Sequence, residues 1–253
     1  MVVASAEPTA SGLAGPAHAR IAAALRRRIE DGELALGAAL PSERQLASDL
    51  GVSRMTARQA LMILESEGLV RRQSPTGTIV SRRLPMRIGS FSDEVVRSGA
   101  EPGDRLLWAK LQEAPPPACE ALGLRLGDHV HAISRLRTAD GDPVALETTY
   151  LSALLTPGLL EVSLTGSLWE ILRRQYNLAP RHALAALEVV TLDESSAALL
   201  EARVAAPGIL LTRRTFANDG VCIEFARDIY RADRVRFEVS ADIPAPASDP
   251  PTT

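Results

Sequence analysis

The stretch GVSRMTARQAL, residues 51–61, decides the fold of the first part of this chain. Read as a helix, it lays Ala57, Ala60, Leu61 and the following Leu64 on one seam and turns Ser53, Arg54, Thr56 and Arg58 outward. Two arginines one turn apart, beside two hydroxyls, make a face prepared for negative charge. A solvated arginine face on a structural helical hairpin is the plainer alternative, and the neighbouring sequence argues against it.

Upstream, Ile21, Leu25 and Ile29 recur every four residues until Asp31-Gly32 stops the helix. Pro41 then sets the entry of a short helix, Ser42 and Gln45 have capping-box spacing, and Leu46 and Leu50 form its apolar side. Gly51 ends that helix, and Ser53 is placed to cap the next, which runs to about Glu67. After Gly68, LVRRQSPTGTIVSRR reads as two short strands around a tip at Ser74 to Gly77. Helix, short helix, tight turn, longer helix and hairpin make a helix-turn-helix with a wing, whose second helix enters a DNA major groove. Arg54 and Arg58 then reach base edges or phosphates, and Arg44 faces the backbone.

Charge is divided along the chain in the same sense. Residues 17–83 hold 11 Arg against 7 Asp or Glu, a balance of +4, and the remainder holds 17 basic and 24 acidic residues, a balance of −7. Together these give the net −3 of the 253 residues. A basic head on an acidic body fits a nucleic-acid-binding module joined to a part that binds something else. With 46% hydrophobic and 23% charged residues, the chain has the composition of an ordinary globular protein. Cys119 and Cys222 form no CxxC and are expected to be reduced. Residues 1–17 read as a flexible tail without the features of a signal peptide, and no stretch has the length of a membrane span. A cytoplasmic location is expected.

The head is expected over residues 18–82 and a linker over 83–89, marked by Pro85 and Gly89. Beyond it a capped helix at 90–98 opens an α+β unit over 90–241, followed by a disordered tail at 242–253. Strands are expected at 104–112, 129–137, 143–151, 208–217, 220–230 and 234–240, in a largely antiparallel sheet. Helices fit 116–122, 167–176 and 193–202. Two hairpins share arginine on the first strand, a DG turn and glutamate on the return, so Arg135, Glu147, Arg213 and Glu224 stand at comparable points.

In HVHAISRLR, Arg135 and Arg137 project to the same side of one strand. Two guanidiniums there suit a phosphate or carboxylate held between them, with Glu147 and Glu224 taking hydroxyls or an amine of the same ligand. Salt bridges from both arginines to neighbouring acids are the alternative reading. His129 and His131 share a strand face, but no third ligand follows at zinc spacing, so no metal or cofactor is expected. Trp108 and Trp169 read as core. No nucleophile motif or glycine-rich phosphate loop is present.

The segment LPSERQLASDLGVSRMTARQALMILESEGLVRR, with GTIV after it, resembles the winged helix of the GntR family of bacterial repressors. The resemblance implies DNA contacts by Arg44, Arg54 and Arg58, assisted by Ser53 and Thr56, with Gly77 at a wing tip in the minor groove. The tip departs from the family pattern, which places a basic residue between glycines. Residues 90–240 are similar to the UTRA effector domain of the HutC subfamily, in SF..E....G..P, R.R..DG.P...E..Y and the closing residues Glu224 to Phe237. That likeness implies a fold similar to chorismate lyase, a homodimer joined through the second half, and a double-stranded operator as partner. It also implies an effector site in which Arg135 and Arg137 hold a phosphate, with Glu147, Ser167, Glu224 and Tyr230 around a sugar. Ser90, Phe91 and Ser92 would present the start of their helix to the same anion. The subfamily binds various metabolites, so the effector's identity does not carry over. An enzyme of lyase-like fold with a DNA-binding head is the rival reading.

Overall fold

The computed structural model describes residues 15–35, 37–73 and 77–240, and the chain divides into two compact units at Arg83 and Leu84. Residues 1–14 of the expected first tail, the whole of the expected tail at 242–253, position 241 of the expected second unit and the wing-tip residues Ser74 to Thr76 lie outside the described residues.

In the first unit, α1 (Ala17–Glu30) and α2 (Glu43–Asp49) pack on α3 (Arg54–Ser66), and the strands β1 (Val70–Gln73) and β2 (Gly77–Val80) pair antiparallel. The α3 seam of Ala57, Ala60, Leu61 and Leu64 is buried with Ala22, Leu25, Leu46, Val70 and Val80. Burial of that seam fixes which face of α3 is left outside. Ser42 accepts from the Gln45 amide at 3.2 Å, but the Gln45 side chain turns to Asp49 at 2.6 Å, so only half of the expected capping box forms. Gly51 takes φ +61° between α2 and α3, a conformation that favours glycine.

The second unit is built on a six-stranded antiparallel sheet. Its strands are β4 (Pro102–Glu113), β5 (His129–Ala139), β6 (Asp142–Ser152), β7 (His182–Thr191), β8 (Pro207–Phe216) and β9 (Cys222–Arg231), in the spatial order β4-β5-β6-β9-β8-β7. The two hairpins β5–β6 and β8–β9 therefore meet at the centre. Helices α4 (Phe91–Arg97) and α6 (Leu168–Tyr176) pack over the face that carries Ile133 and Tyr230. On the opposite face, α5 (Pro116–Leu122) and α7 (Glu194–Leu199) cover Val130, Phe225 and Leu136.

Three features differ from expectation. Strand β7 was not expected, because HALAALEVVT has little polar alternation and many helix-favouring alanines; its full-length pairing with β8 overrides that propensity. The segment expected as linker contains β3 (Leu84–Met86), which pairs parallel with β10 (Val235–Phe237). Leu84, Met86 and Val235 are buried in one cluster, so apolar packing fastens this segment to the second unit. For the same reason the last strand joins β3 rather than the large sheet. Trp108, expected in the core, is 42% exposed on the edge strand β4, with the Lys110 ammonium 5.2 Å above its ring. Among the described residues no helix is long and apolar enough to cross a membrane.

Candidate functional site

The exposed face of α3 begins at its cap. Ser53 Oγ accepts from the Thr56 amide at 3.1 Å and lies 2.8 Å from Thr56 Oγ1, so both hydroxyls order the first turn of the helix. Arg44, Arg54 and Arg58 are exposed, and none has an acidic partner among the described residues. Elsewhere in the unit Arg26 pairs with Glu67, Arg28 with Glu33 and Arg72 with Glu43, whereas Arg20 and Arg27 on α1 are exposed without an acidic partner among the described residues. Gly77 opens β2, exposed and at φ +90°.

In the second unit, a small cleft brings together Ser90, Phe91, Ser92, Arg135, Arg137, Glu147, Ser167 and Glu224. Eight of the nine effector-site residues expected from the sequence share it. Tyr230 does not line it; its ring stacks behind Phe91 at 6.5 Å and meets Phe237 edge-on at 5.1 Å. Leu168, Trp169 and Arg213 complete the wall. Trp169, expected in the core, donates its indole N–H to Glu224 at 2.9 Å and lies 5.2 Å beneath the Arg213 guanidinium. The likeness of the two hairpins was the signal for Arg213, since it stands where Arg135 stands in the first.

Register explains the arrangement. Arg135 on β5 lies opposite Glu147 on β6, which lies opposite Asp228 on β9, and Thr215 on β8 lies opposite Glu224. Three arginines and three carboxylates are thereby buried on one sheet face. Arg135 spends four of its five N–H groups: Nε at 2.8 Å and Nη2 on Glu147, and Nη1 on the carbonyls of Leu164 and Gly166 at 3.0 and 2.8 Å. It is an anchor for the 164–167 turn, which Asp104 also holds by accepting from the Gly166 amide at 2.7 Å.

Arg137 is placed differently. It donates to the Gly166 carbonyl at 3.1 Å and to Ser92 Oγ at 2.8 Å; its Nε has no partner, and no carboxylate lies within ion-pair distance among the described residues. Its guanidinium stacks 4.7 Å over Phe91, and burial lowers its proton affinity. Burial works to raise the Glu147 carboxyl, but Arg135 and Arg137 hold it below its ordinary value. Glu224 accepts from Thr215 at 2.6 Å as well as from Trp169 and Arg213, so it orients the wall around it. Ser90 and Ser167, which cap α4 and α6, lie 3.2 Å apart and tie the two helix starts together.

His131 is buried with Nε2 2.9 Å from the Thr156 carbonyl, whereas His129 is exposed. Both cysteines are free thiols.

Comparison with known proteins agrees with both halves. Residues 17–80 match the bacterial regulatory proteins of the gntR family, and residues 97–236 match the UTRA domain. The chain belongs to the GntR family. It is of the HutC type, with a winged helix-turn-helix and a UTRA domain. It is 32% identical to the HTH-type transcriptional repressor NagR of Bacillus subtilis over 226 residues, 88% of this chain and 93% of that protein. It is 35% identical to the HTH-type transcriptional repressor PhnF of Mycolicibacterium smegmatis over 215 residues, 83% of this chain and 86% of that protein. The crystal structure of PhnF from Mycobacterium smegmatis superposes with a TM-score of 0.63 at 31% identity, covering 88% of this chain and 99% of that one. This GntR-family chain is a DNA-binding transcription regulator, and the enzyme reading is not favoured.

Proposed function

We propose that this regulator is a homodimeric repressor whose hold on a palindromic operator is changed by a small anionic metabolite bound at Arg137, of the class of sugar or amino-sugar phosphates. The observation that carries this reading is a buried guanidinium at the pocket that bonds no carboxylate among the described residues and has an unpartnered Nε. A buried cation without a bonded counter-charge is costly, and an anion in the pocket lowers that cost. Serine hydroxyls and the Glu147 carboxylate on the same walls suit a polyhydroxylated or amino-bearing body behind the anion.

The pocket also lies close along the chain to the DNA-binding unit. Arg137 holds Ser92 and Arg213 holds the Gly89 carbonyl at 3.0 Å, and the segment from Leu84 to Ser92 leads directly from the last residue of the first unit. An anion that competes for these donors alters the start of α4 and the tether before it. Altered presentation of two heads to two half-sites then changes operator affinity. Arg44, Arg54 and Arg58 supply the DNA contacts, assisted by Ser53, Thr56 and Gly77.

The second copy is assigned to the β7 edge. Leu184, Leu187 and Val189 are exposed there, Val189 by 86%, on a strand whose outer backbone has no partner among the described strands. A two-fold axis that pairs β7 with its copy covers these side chains and the open edge together. A thermal-shift panel of sugar phosphates, amino-sugar phosphates and imidazole acids tests the effector assignment. A shift that Arg137→Gln strongly reduces supports it, and a shift of equal size in this variant refutes it.

A further inference from the structure

Asp228 is the charged member of the buried cluster that neither wall chemistry nor packing accounts for. It sits on β9, 1% exposed, opposite Glu147 in register, with Glu224 four residues earlier on the same strand face. Among the described residues its one ion pair is to Arg213 at 3.8 Å, and Arg213 is shared with Glu224 at 3.4 Å. Its Oδ1 is buried without any hydrogen-bond partner.

The groups that face it can be taken element by element. From β5 come Arg137 and, through Glu147, Arg135; from β6 comes Glu147; from β8 comes Arg213; and on β9 itself are Glu224 and Tyr230. Two of these are carboxylates whose own cations are already engaged. An ionised Asp228 would be a third carboxylate in the cluster, sharing Arg213 with Glu224 and leaving a buried oxygen unsatisfied. A protonated Asp228 leaves three guanidiniums against two carboxylates, a net +1 that suits an anion in the pocket.

We infer that Asp228 carries a proton in the anion-bound state, so that the effector site takes an anion and a proton as a pair. This rests on the anion reading of the pocket. Burial, against the pull of Arg213 and with Glu147 and Glu224 adding to it, pushes the Asp228 carboxyl up to about 8 before any anion is present. A neighbouring anion raises it further, because like charge disfavours ionisation. Anion affinity is then constant below about pH 8 and falls above it, by up to about tenfold per pH unit for one linked proton.

Sulfate is the probe, since it keeps its charge throughout this range. Calorimetric titration of the full chain between about pH 6.5 and 9.5 compares the wild type, Asp228→Asn and Arg137→Gln. The expected result is sulfate binding that Arg137→Gln abolishes, that weakens above about pH 8 in the wild type, and that stays flat in Asp228→Asn. Binding that requires Arg137 but follows one pH profile in both wild type and Asp228→Asn overturns the inference and leaves the anion reading intact. No binding, or binding indifferent to Arg137→Gln, overturns the anion reading and the inference with it. Infrared titration of the sulfate-bound wild-type chain needs no variant. A buried protonated-carboxyl band that persists to about pH 8 supports the assignment, and its absence above about pH 6 overturns it.

Discussion

Arg135 and Arg137 stand two residues apart on β5 and share the carbonyl of Gly166, yet only Arg135 has a carboxylate partner. The pair that reads from sequence as one anion clamp is divided in the folded chain into an anchor and an unpaired cation.

Removing the anchor should cost stability. Arg135→Met leaves Glu147 buried with its main partner gone and frees the turn at Leu164 and Gly166, so unfolding free energy should drop by about 3 to 5 kcal/mol. Denaturant unfolding checks this. The double variant Arg135→Met with Glu147→Leu should recover much of the loss, because no unpaired charge then remains buried.

Arg137→Gln should behave in the opposite way. It removes a buried cation with no bonded carboxylate, so melting should change far less than in Arg135→Met. Anion affinity should fall by roughly 10- to 150-fold, the worth of charge-assisted bonds at about 1.5 to 3 kcal/mol.

On α3, Arg54→Ala should weaken operator binding by about 1 to 3 kcal/mol and relax specificity at the base pair that it reads. Arg54 is exposed and has no protein partner among the described residues, so melting and effector binding should be unaffected. Anisotropy titrations with operator and scrambled DNA separate these effects.

At the edge of the sheet, Val189→Asp places a charge on an 86% exposed position of β7. Sedimentation should show a monomer at concentrations where the wild type is a dimer, with circular dichroism unchanged. Operator affinity should fall with it, since one head alone neutralises half of the phosphates.

Asp228 also sets a pH trend in stability. Its carboxyl titrates at about 8 in the folded chain and near 4 when unfolded, so the native state binds more protons between those limits. Its contribution to stability is therefore greatest at the acid end and declines as pH rises through this window, by at most about 1.4 kcal/mol per pH unit. Asp228→Asn should remove that decline in denaturant unfolding measured across the window.

Much of this was legible before the structure. The winged helix could be read because its signals are local: an i, i+3, i+4 seam, a serine capping α2 and another capping α3, and a glycine at each stop. Period two places Arg135 and Arg137 on one strand face, whereas Ser90, Phe91, Ser92 and Ser167, at the starts of α4 and α6, were expected beside them only through the resemblance to the UTRA domain. Which arginine was engaged was not legible, since that depends on the Leu164 and Gly166 carbonyls, about 30 residues away in the chain. Strand β7 was hidden for a related reason: HALAALEVVT carries no polar alternation, and its strand character comes from ten residues of pairing with β8. Trp169 looked like core until Glu224 supplied an acceptor for its indole N–H.

The central claim is that an anion at Arg137 changes the grip on DNA. The most direct measurement is the affinity of the full chain for a palindromic fragment selected from random DNA, with and without each anionic metabolite of the thermal-shift panel. The account predicts that one such compound shifts wild-type affinity by about 5- to 150-fold and leaves Arg137→Gln unchanged. Equal shifts in the two proteins, or no shift by any anion that binds, would contradict it.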